Sequence, residues 1–383
     1  MIIKNAIIHD AIHEDPYTGD IIIKDGKLES VGASGDAHQD AGEVIDASGL
    51  HAYPGFVDAH SHIGLDGTGG PTGATLDINE MTDICSPHLR GMDSYYPMDA
   101  AIPEALKGGV TTVAAGPGSA NVLGGTFTAV KMYGKTFEEA VVKPEVAMKC
   151  AFGENPKRVY RDRSDSARMT TAAILRKTLF EARDYMMRKE AAGDDISKAP
   201  KFDLKMEALI PVLRREMPLK AHAHRADDIM TAIRIAKEFD LRITIEHCTD
   251  GHLIADELAE AGVAAAVGPT LSNISKLELI NKSWATPGIL AEAGVPVSII
   301  TDAPVIPQEY LPLCAGLAVK AGMDPFKALQ AITINAARHI GIEDRVGSLE
   351  AGKDADVVLA DGDPMVSNTE IKYVIVDGKV MVG

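Results

Sequence analysis

Between Gly55 and Gly341 the chain repeats one pattern: a short apolar run with the reach of a strand, then a stretch whose apolar residues fall at helical spacing. Eight such runs occur, at 56–62, 110–115, 127–132, 147–152, 219–224, 243–247, 264–268 and 297–301. Strands joined by crossover helices make a parallel sheet, because a tight hairpin cannot reach a parallel neighbour. Eight of them over roughly 290 residues fit an α/β fold of the (β/α)8 TIM type, whose usual size is about 250. The barrel is expected over 53–343.

The helical stretches are clearest in the second half. Ile229, Ala232, Ile233, Ala236 and Phe239 form one apolar stripe behind the acidic first turn Asp227-Asp228. Asp324-Pro325 reads as a capping residue followed by proline at the first helical position. Two insertions interrupt the pattern. Residues 64–98, rich in Gly, Thr and Asp, follow the first strand and are placed to form a lid or a surface loop. Residues 153–203 hold a charged helical stretch with a loop at 191–195.

The two ends have a different texture. Short strands at 2–8, 20–24, 28–32 and 44–46 alternate with turns such as Asp25-Gly26, and strands at 355–359, 371–376 and 380–382 surround Asp377-Gly378. Neither end closes a sheet alone. Residues 1–52 and 344–383 are expected to combine into one small β-sandwich domain.

Composition narrows the classes of function. The 38 basic and 55 acidic residues give a net charge of −17, which disfavours a phosphate backbone or an anionic membrane surface. The N-terminus lacks the apolar core of a secretion signal, and no run approaches the roughly 18 apolar residues of a membrane span. A cytoplasmic protein acting on a small molecule, as a homo-oligomer and without nucleic acid or membrane, is the expectation. Cys85, Cys150, Cys248 and Cys314 are far apart, as reduced thiols would be.

Metal-ligand residue types gather where the strands end. His60 and His62 stand two apart at the end of the first run, so alternation along a strand aims both rings the same way. Their ring nitrogens can converge on one ion at about 2.0–2.1 Å, a geometry that suits zinc. His222 and His224 close the fifth run, His247 the sixth, and Asp302 follows the eighth. In a barrel these ends face a common centre. Five of the 12 histidines occupy them.

Two fourth-strand residues compete for a place there. Glu154 lies at the tip and offers a carboxylate; Lys149 would need carbamylation by carbon dioxide to become an anionic ligand. Strand parity sends the two to opposite faces, and Glu154, nearer the catalytic end, is the preferred ligand. Asn121 in a Gly-rich loop, Arg225 as a carboxylate partner and Trp284 in the loop after the seventh strand are further candidates for substrate contact. The remaining histidines, His38 and His339 among them, read as surface or core residues.

The segments Gly55-Phe56-Val57-Asp58-Ala59-His60-Ser61-His62, Lys220-Ala221-His222-Ala223-His224, Glu246-His247 and Thr301-Asp302 resemble the metal-binding motifs of the amidohydrolase superfamily, most closely its imidazolonepropionase-like branch. The tail from Val346 to Asp356 resembles the stretch leading those enzymes into their small β domain. The resemblance implies that His60, His62, His222, His247 and Asp302 bind a divalent metal, most simply zinc, with His224 supporting the site or touching substrate. A bridging carboxylate from the fourth strand, placed at Glu154, would make two ions.

It further implies a metal-activated water that cleaves an amide-like C–N bond in a cyclic amide, an acyl-amino acid or a dipeptide, with Asp302 as general base and acid. A deaminase on the same barrel is the alternative. Relatives of that kind commonly carry Glu three residues after the fifth-strand histidine, where this chain has Arg225. A barrel that has lost its metal and serves as a scaffold is the other alternative, and the intact ligand types oppose it.

Overall fold

The computed structural model describes residues 1–33, 42–66, 77–164 and 166–383. His38 and the part of the first insertion at 67–76 lie outside the described residues.

The terminal sheet combines β1 (Ile2–Ile8), β2 (Tyr17–Lys24), β3 (Lys27–Gly32), β4 (Val44–Asp46) and β5 (His51–Pro54) with β14 (Val357–Ala360), β15 (Ile371–Val376) and β16 (Lys379–Val382). The strands follow one hydrogen-bonded order, β16-β15-β14-β5-β1-β2-β3, with β4 branching off β1. The strands are thus hydrogen-bonded into one connected sheet, and apolar residues of β1, β2, β5, β14 and β15 share one core. Its join between the two ends of the chain is the antiparallel pairing of β5 with β14, Pro54 opposite Val357 and His51 opposite Ala360.

The second sheet contains β6 (Phe56–Ser61), β7 (Val110–Ala115), β8 (Leu123–Lys131), β9 (Val141–Ala151), β10 (Leu219–Ala223), β11 (Ile243–His247), β12 (Ala264–Val267) and β13 (Val297–Ile299), paired in chain order. Each expected run lies in or overlaps one of these strands, which form a nearly closed, parallel-rich barrel. One strand departs from the expectation. β8 is antiparallel to both β7 and β9. The segments on either side of it are too short for a crossover, which needs a dozen or more residues.

The two ends of this path, β6 and β13, meet through a side chain. Asp58 of β6 is fully buried; its Oδ2 accepts hydrogen bonds from the Thr301 amide (3.0 Å), Thr301 Oγ1 (2.6 Å) and Gln308 Nε2 (2.5 Å). Burial raises the Asp58 carboxyl to about 6 in spite of these donors.

Barrel strands are buried on both faces, so they read as continuous apolar runs. Inside, small residues such as Ala59, Ala114, Ala129 and Ala266 surround the one large ring of Phe127. Outside, helices cover the strands. The stripe on Ala226–Phe239 packs as its spacing predicts, with Ile229, Ala232, Ile233, Ala236 and Phe239 buried. Asp324 caps Pro325–Ala331 by accepting the Lys327 amide at 2.9 Å. No helix among the described residues is long and apolar enough to cross a membrane.

Lys131 on β8 ties the barrel to the terminal sheet. Its ammonium, 2% exposed, lies 2.6 Å from Asp356, 3.1 Å from Asp354 and 3.3 Å from Asp377.

Candidate metal centre

At the C-terminal mouth of the barrel, β6 delivers His60 and, one residue past its end, His62; β10 and β11 deliver His222, His224 and His247; the turn after β13 delivers Asp302. Potential ligand atoms of His60, His62 and Asp302 lie within 4.8 Å of one another, as do those of His222, His224 and His247. The two groups adjoin, with the His60 and His247 ring centres 5.1 Å apart.

Every one of the five rings has its Nδ1 engaged away from the centre. His60 Nδ1 lies 2.8 Å from Glu246 Oε2, His62 Nδ1 2.8 Å from the Gly116 carbonyl, and His247 Nδ1 2.8 Å from the Gly268 carbonyl. His222 and His224 use hydroxyls, Ser119 Oγ and Thr249 Oγ1, each at 2.8 Å. A carboxylate or carbonyl can only accept, so His60, His62 and His247 carry their proton on Nδ1 and turn the Nε2 lone pair inward.

That arrangement leaves lone pairs facing one another. His62 Nε2 lies 3.2 Å from Asp302 Oδ1 and His60 Nε2 3.6 Å from the same oxygen. His247 Nε2 is buried without a hydrogen-bond partner among the described residues. Acceptors this close, taken out of water, repel unless a cation stands among them. Imidazole and carboxylate donors together suit a divalent transition ion.

Titration behaviour agrees with the geometry. Burial holds the imidazoles of His60, His222 and His224 well below their ordinary value and lowers His247 to about 4, so these rings are neutral at pH 7. For Asp302 burial works toward a higher value, and at low pH, where the rings around it take up protons, their charge, that of His247 first, outweighs burial and holds its carboxyl below the usual range.

Backbone strain helps to aim two of these side chains. His247 has φ 70° and Asp302 φ 54°, both in the left-handed region that non-glycine residues rarely occupy. In a regular strand His247 would point away from the side taken by Glu246. The left-handed turn lets both reach the centre.

The fourth-strand expectation is corrected. Lys149, fully buried on β9, places Nζ 3.1 Å from His60 Nε2. Glu154 begins the next helix, Glu154–Tyr160, and belongs to neither ligand group; its backbone N–H donates to Glu278 Oε2 at 2.9 Å. Gly153, at φ 82°, turns the chain out of the strand before Glu154 is reached. Burial lowers the Lys149 amine to about 8, against the pull of Asp302 and Glu246.

The other substrate candidates separate. His224 lines a cleft of about 450 Å³ above the cluster, together with His62, His222 and Asp302. Asn121 does not line it; its amide holds the insertion in place by donating to the carbonyls of Glu80 (2.7 Å) and Asp83 (2.8 Å). Arg225 turns outward and pairs with Asp227 at 3.0 Å. Trp284 packs, half-buried, against the core.

Sequence reasoning gave no role to Glu246 or His339. Glu246 is fully buried, with Oε2 on His60 and 2.7 Å from Lys220 Nζ, and Oε1 2.8 Å from His339 Nε2. Its place beside His247 was the available signal. Alternation argues against both neighbours pointing inward. The cleft also presents Asn79, Ser119 and Lys276 from loops and Asn155 from the first turn of the helix Glu154–Tyr160, and no spacing in the chain marks them.

Comparison with known proteins places these features in context. The family model described as "Amidohydrolase family" matches residues 52–381. A crystal structure of an amidohydrolase from Thermotoga maritima MSB8 superimposes with a TM-score of 0.95 at 42% identity, covering 99% of this chain and 98% of that one. Amidohydrolase tasK of Hapsidospora irregularis is 28% identical over 94% of this chain and 40% of its own length. An imidazolonepropionase of Shouchella clausii is 38% identical over 31% of this chain and 26% of its own. The chain therefore matches less than half the length of these two relatives.

Proposed function

Because the chain belongs to the amidohydrolase family, we propose that it is a metal-dependent hydrolase that cleaves an amide-like C–N bond in a small cyclic amide, acyl-amino acid or dipeptide. The observation that carries this reading is the set of inward lone pairs, with His62 Nε2 and Asp302 Oδ1 facing each other across 3.2 Å. His60, His62, His222, His247 and Asp302 are the residues that would hold a divalent ion, zinc being the one proposed. Lys149, as its carbamate, is positioned to complete the set in place of Glu154. Such an ion supplies an acidified water and a charge that polarises the substrate carbonyl.

The protein's own groups do the rest. Asp302, kept ionised, accepts the proton of the attacking water and returns it to the leaving nitrogen as the C–N bond breaks. His224, neutral and on the cleft wall, would contact the substrate. Glu246 fixes the orientation of the His60 ring. The cleft is lined by both polar and apolar side chains, Asn155 and Lys276 beside Ile78 and Leu279, which suits a small amphipathic substrate.

The test is a metal-loaded preparation assayed for amine release from panels of dipeptides, acyl-amino acids and cyclic amides. Hydrolysis of at least one panel, lost on chelation and restored by zinc, is expected. Full metal loading without hydrolysis of any panel would remove the proposal, and ammonia release from amino-substituted rings would replace it with the deaminase reading.

A further inference from the structure

The cleft over the histidines is not evenly charged. Two cations stand on its wall, Lys276 from the segment after β12 and Arg158 from the helix Glu154–Tyr160, in a chain whose net charge is −17. The cleft's carboxylates are Asp302, within the candidate metal centre, and Asp66, from the segment after β6. Breaking a C–N bond makes no use of either cation.

Lys276 is held from two sides. Its Nζ pairs with Glu278 Oε1 at 2.7 Å and donates to Asn155 Oδ1 at 3.0 Å. The same two partners reach the centre, with Glu278 Oε1 3.8 Å from His224 Nε2 and Asn155 Nδ2 3.5 Å from His222 Nε2. The ammonium therefore stands one side chain away from the histidines. Its charge is felt there: after burial, Lys276 is the next cause holding His224 well below its ordinary value.

Arg158 joins it by helical spacing. Three residues after Asn155, it shares that residue's helix face, where Cβ atoms lie about 5–6 Å apart. It is exposed, and no hydrogen bond or ion pair engages it among the described residues. An ammonium has three N–H donors and a guanidinium five, so Lys276 keeps one for a ligand and Arg158 keeps all of its own. An ion pair that merely fastens the loop would account for Lys276 and Glu278. Glu278, however, already accepts from the Glu154 N–H at 2.9 Å and faces Arg168 at 3.5 Å, and fastening gives no reason for a free guanidinium on the same wall.

We propose that Lys276 and Arg158 bind a free carboxylate of the substrate, so that the compound cleaved is an N-acyl-α-amino acid, a dipeptide being one case, and not an uncharged cyclic amide. This rests on the hydrolase reading above and narrows its substrate. A planar carboxylate matches the paired donors of a guanidinium and takes a further bond from the ammonium. In such a compound a single carbon separates the carboxylate from the scissile nitrogen, which agrees with cations one side chain removed from the imidazoles.

The experiment is calorimetric titration of the metal-loaded full chain with N-methanesulfonyl-L-leucine and, separately, with its carboxamide; the leucine side chain answers the apolar Ile78, Met81 and Leu279 on the wall. The sulfonyl group offers water no carbonyl carbon, so binding is read without turnover. The acid is expected to bind at least about tenfold tighter than the carboxamide. Arg158→Gln and Lys276→Gln each shrink that preference and the double variant erases it, with carboxamide affinity at the parent's value. Arg158 is exposed and unpaired among the described residues, so Arg158→Gln decides the matter even where Lys276→Gln, by stranding Glu278, fails to fold. A preference undiminished in the folded variants would put the carboxylate on the metal ion and overturn the assignment, as would equal affinity of acid and carboxamide for the parent. The hydrolase reading fails separately: absence of turnover on every panel leaves this titration unchanged, whereas hydrolysis confined to cyclic amides would overturn the carboxylate site and leave the hydrolase standing.

Discussion

Glu246 Oε2 lies 2.8 Å from Nδ1 of His60, 186 positions earlier in the chain, and the same oxygen lies 2.7 Å from Lys220 Nζ. One buried carboxylate therefore sets the tautomer of an imidazole in the candidate metal centre and balances an ammonium that has no water to turn to. Burial alone would raise the Glu246 carboxyl. Lys220, His339 and His60 outweigh burial and hold it well below its ordinary value.

Glu246→Gln should consequently fail in two ways at once. Removing one partner of a buried ion pair costs about 3–5 kcal/mol, and loss of a carboxylate behind a ligating histidine weakens metal binding by about 10–100-fold. Urea denaturation and competition with a chelator read these separately. A variant of unchanged stability and metal affinity would reduce Glu246 to a packing residue.

Asp302→Asn tests the proton-transfer role. Asparagine keeps the shape and one acceptor oxygen but cannot take up a proton near neutrality. We expect turnover to fall by at least about 10²–10⁴-fold, with circular dichroism and thermal midpoint close to the parent's. Substantial remaining turnover would take Asp302 out of the mechanism.

The choice between fourth-strand residues is settled by metal content. Lys149→Ala should lower the metal-to-protein ratio after reconstitution, while Glu154→Gln should leave it unchanged, because only Lys149 reaches the histidines. Elemental analysis of both variants gives the answer, and the reverse ordering would return the role to Glu154.

Lys149 also fixes a pH dependence. Its amine, lowered from 10.5 to about 8, is mostly protonated at pH 7 and mostly neutral above 8, and only the neutral amine adds carbon dioxide. Bicarbonate-stimulated metal uptake by stripped protein should therefore rise as pH increases through about 8 and then level off. The folded-state value lies below the unfolded one, so the cost of the buried charge is present below pH 8 and disappears as pH climbs toward 10.5. Uptake that is flat from pH 7 to 9, or unaffected by bicarbonate, would exclude the carbamate.

Lys131→Met should separate the stability of the assembly from its chemistry. The change strands Asp356 beside Asp377 without a cation, at a cost of about 3–5 kcal/mol, while Asp354 keeps Lys27 and Arg345. Denaturant titration should show that loss, with the metal ratio of the surviving folded protein unaltered.

The barrel was legible in the chain because strands buried on both faces must be apolar along their whole length, and all eight runs at 56–301 found their strand. The reversal of β8 was harder to see. Its direction depends on how few residues separate it from its neighbours, and the true starts at Leu123 and Val141 lie upstream of the apolar stretches that marked them. At the site, His60, His62, His222, His247 and Asp302 were readable from residue type and position at strand ends. Glu154 misled because a carboxylate near the tip seemed better placed than a lysine inside, and the bend that Gly153 permits carries the chain out of the strand before Glu154 is reached. Glu246 stayed hidden because two adjacent strand residues share a face only when the backbone twists, and the φ of 70° at His247 is a property of the folded chain.

The pairing of β5 with β14 has a consequence for how the molecule is made. The strand that leads directly into the barrel waits, on the ribosome, for a partner that is synthesised some three hundred residues later, and Lys131 waits for the same segment's aspartates. A nascent chain stopped before Asp354 therefore carries an unzipped edge strand and a Lys131 ammonium without its aspartates, and it is in that interval, rather than after release, that the protein is most exposed to misassembly and to proteases.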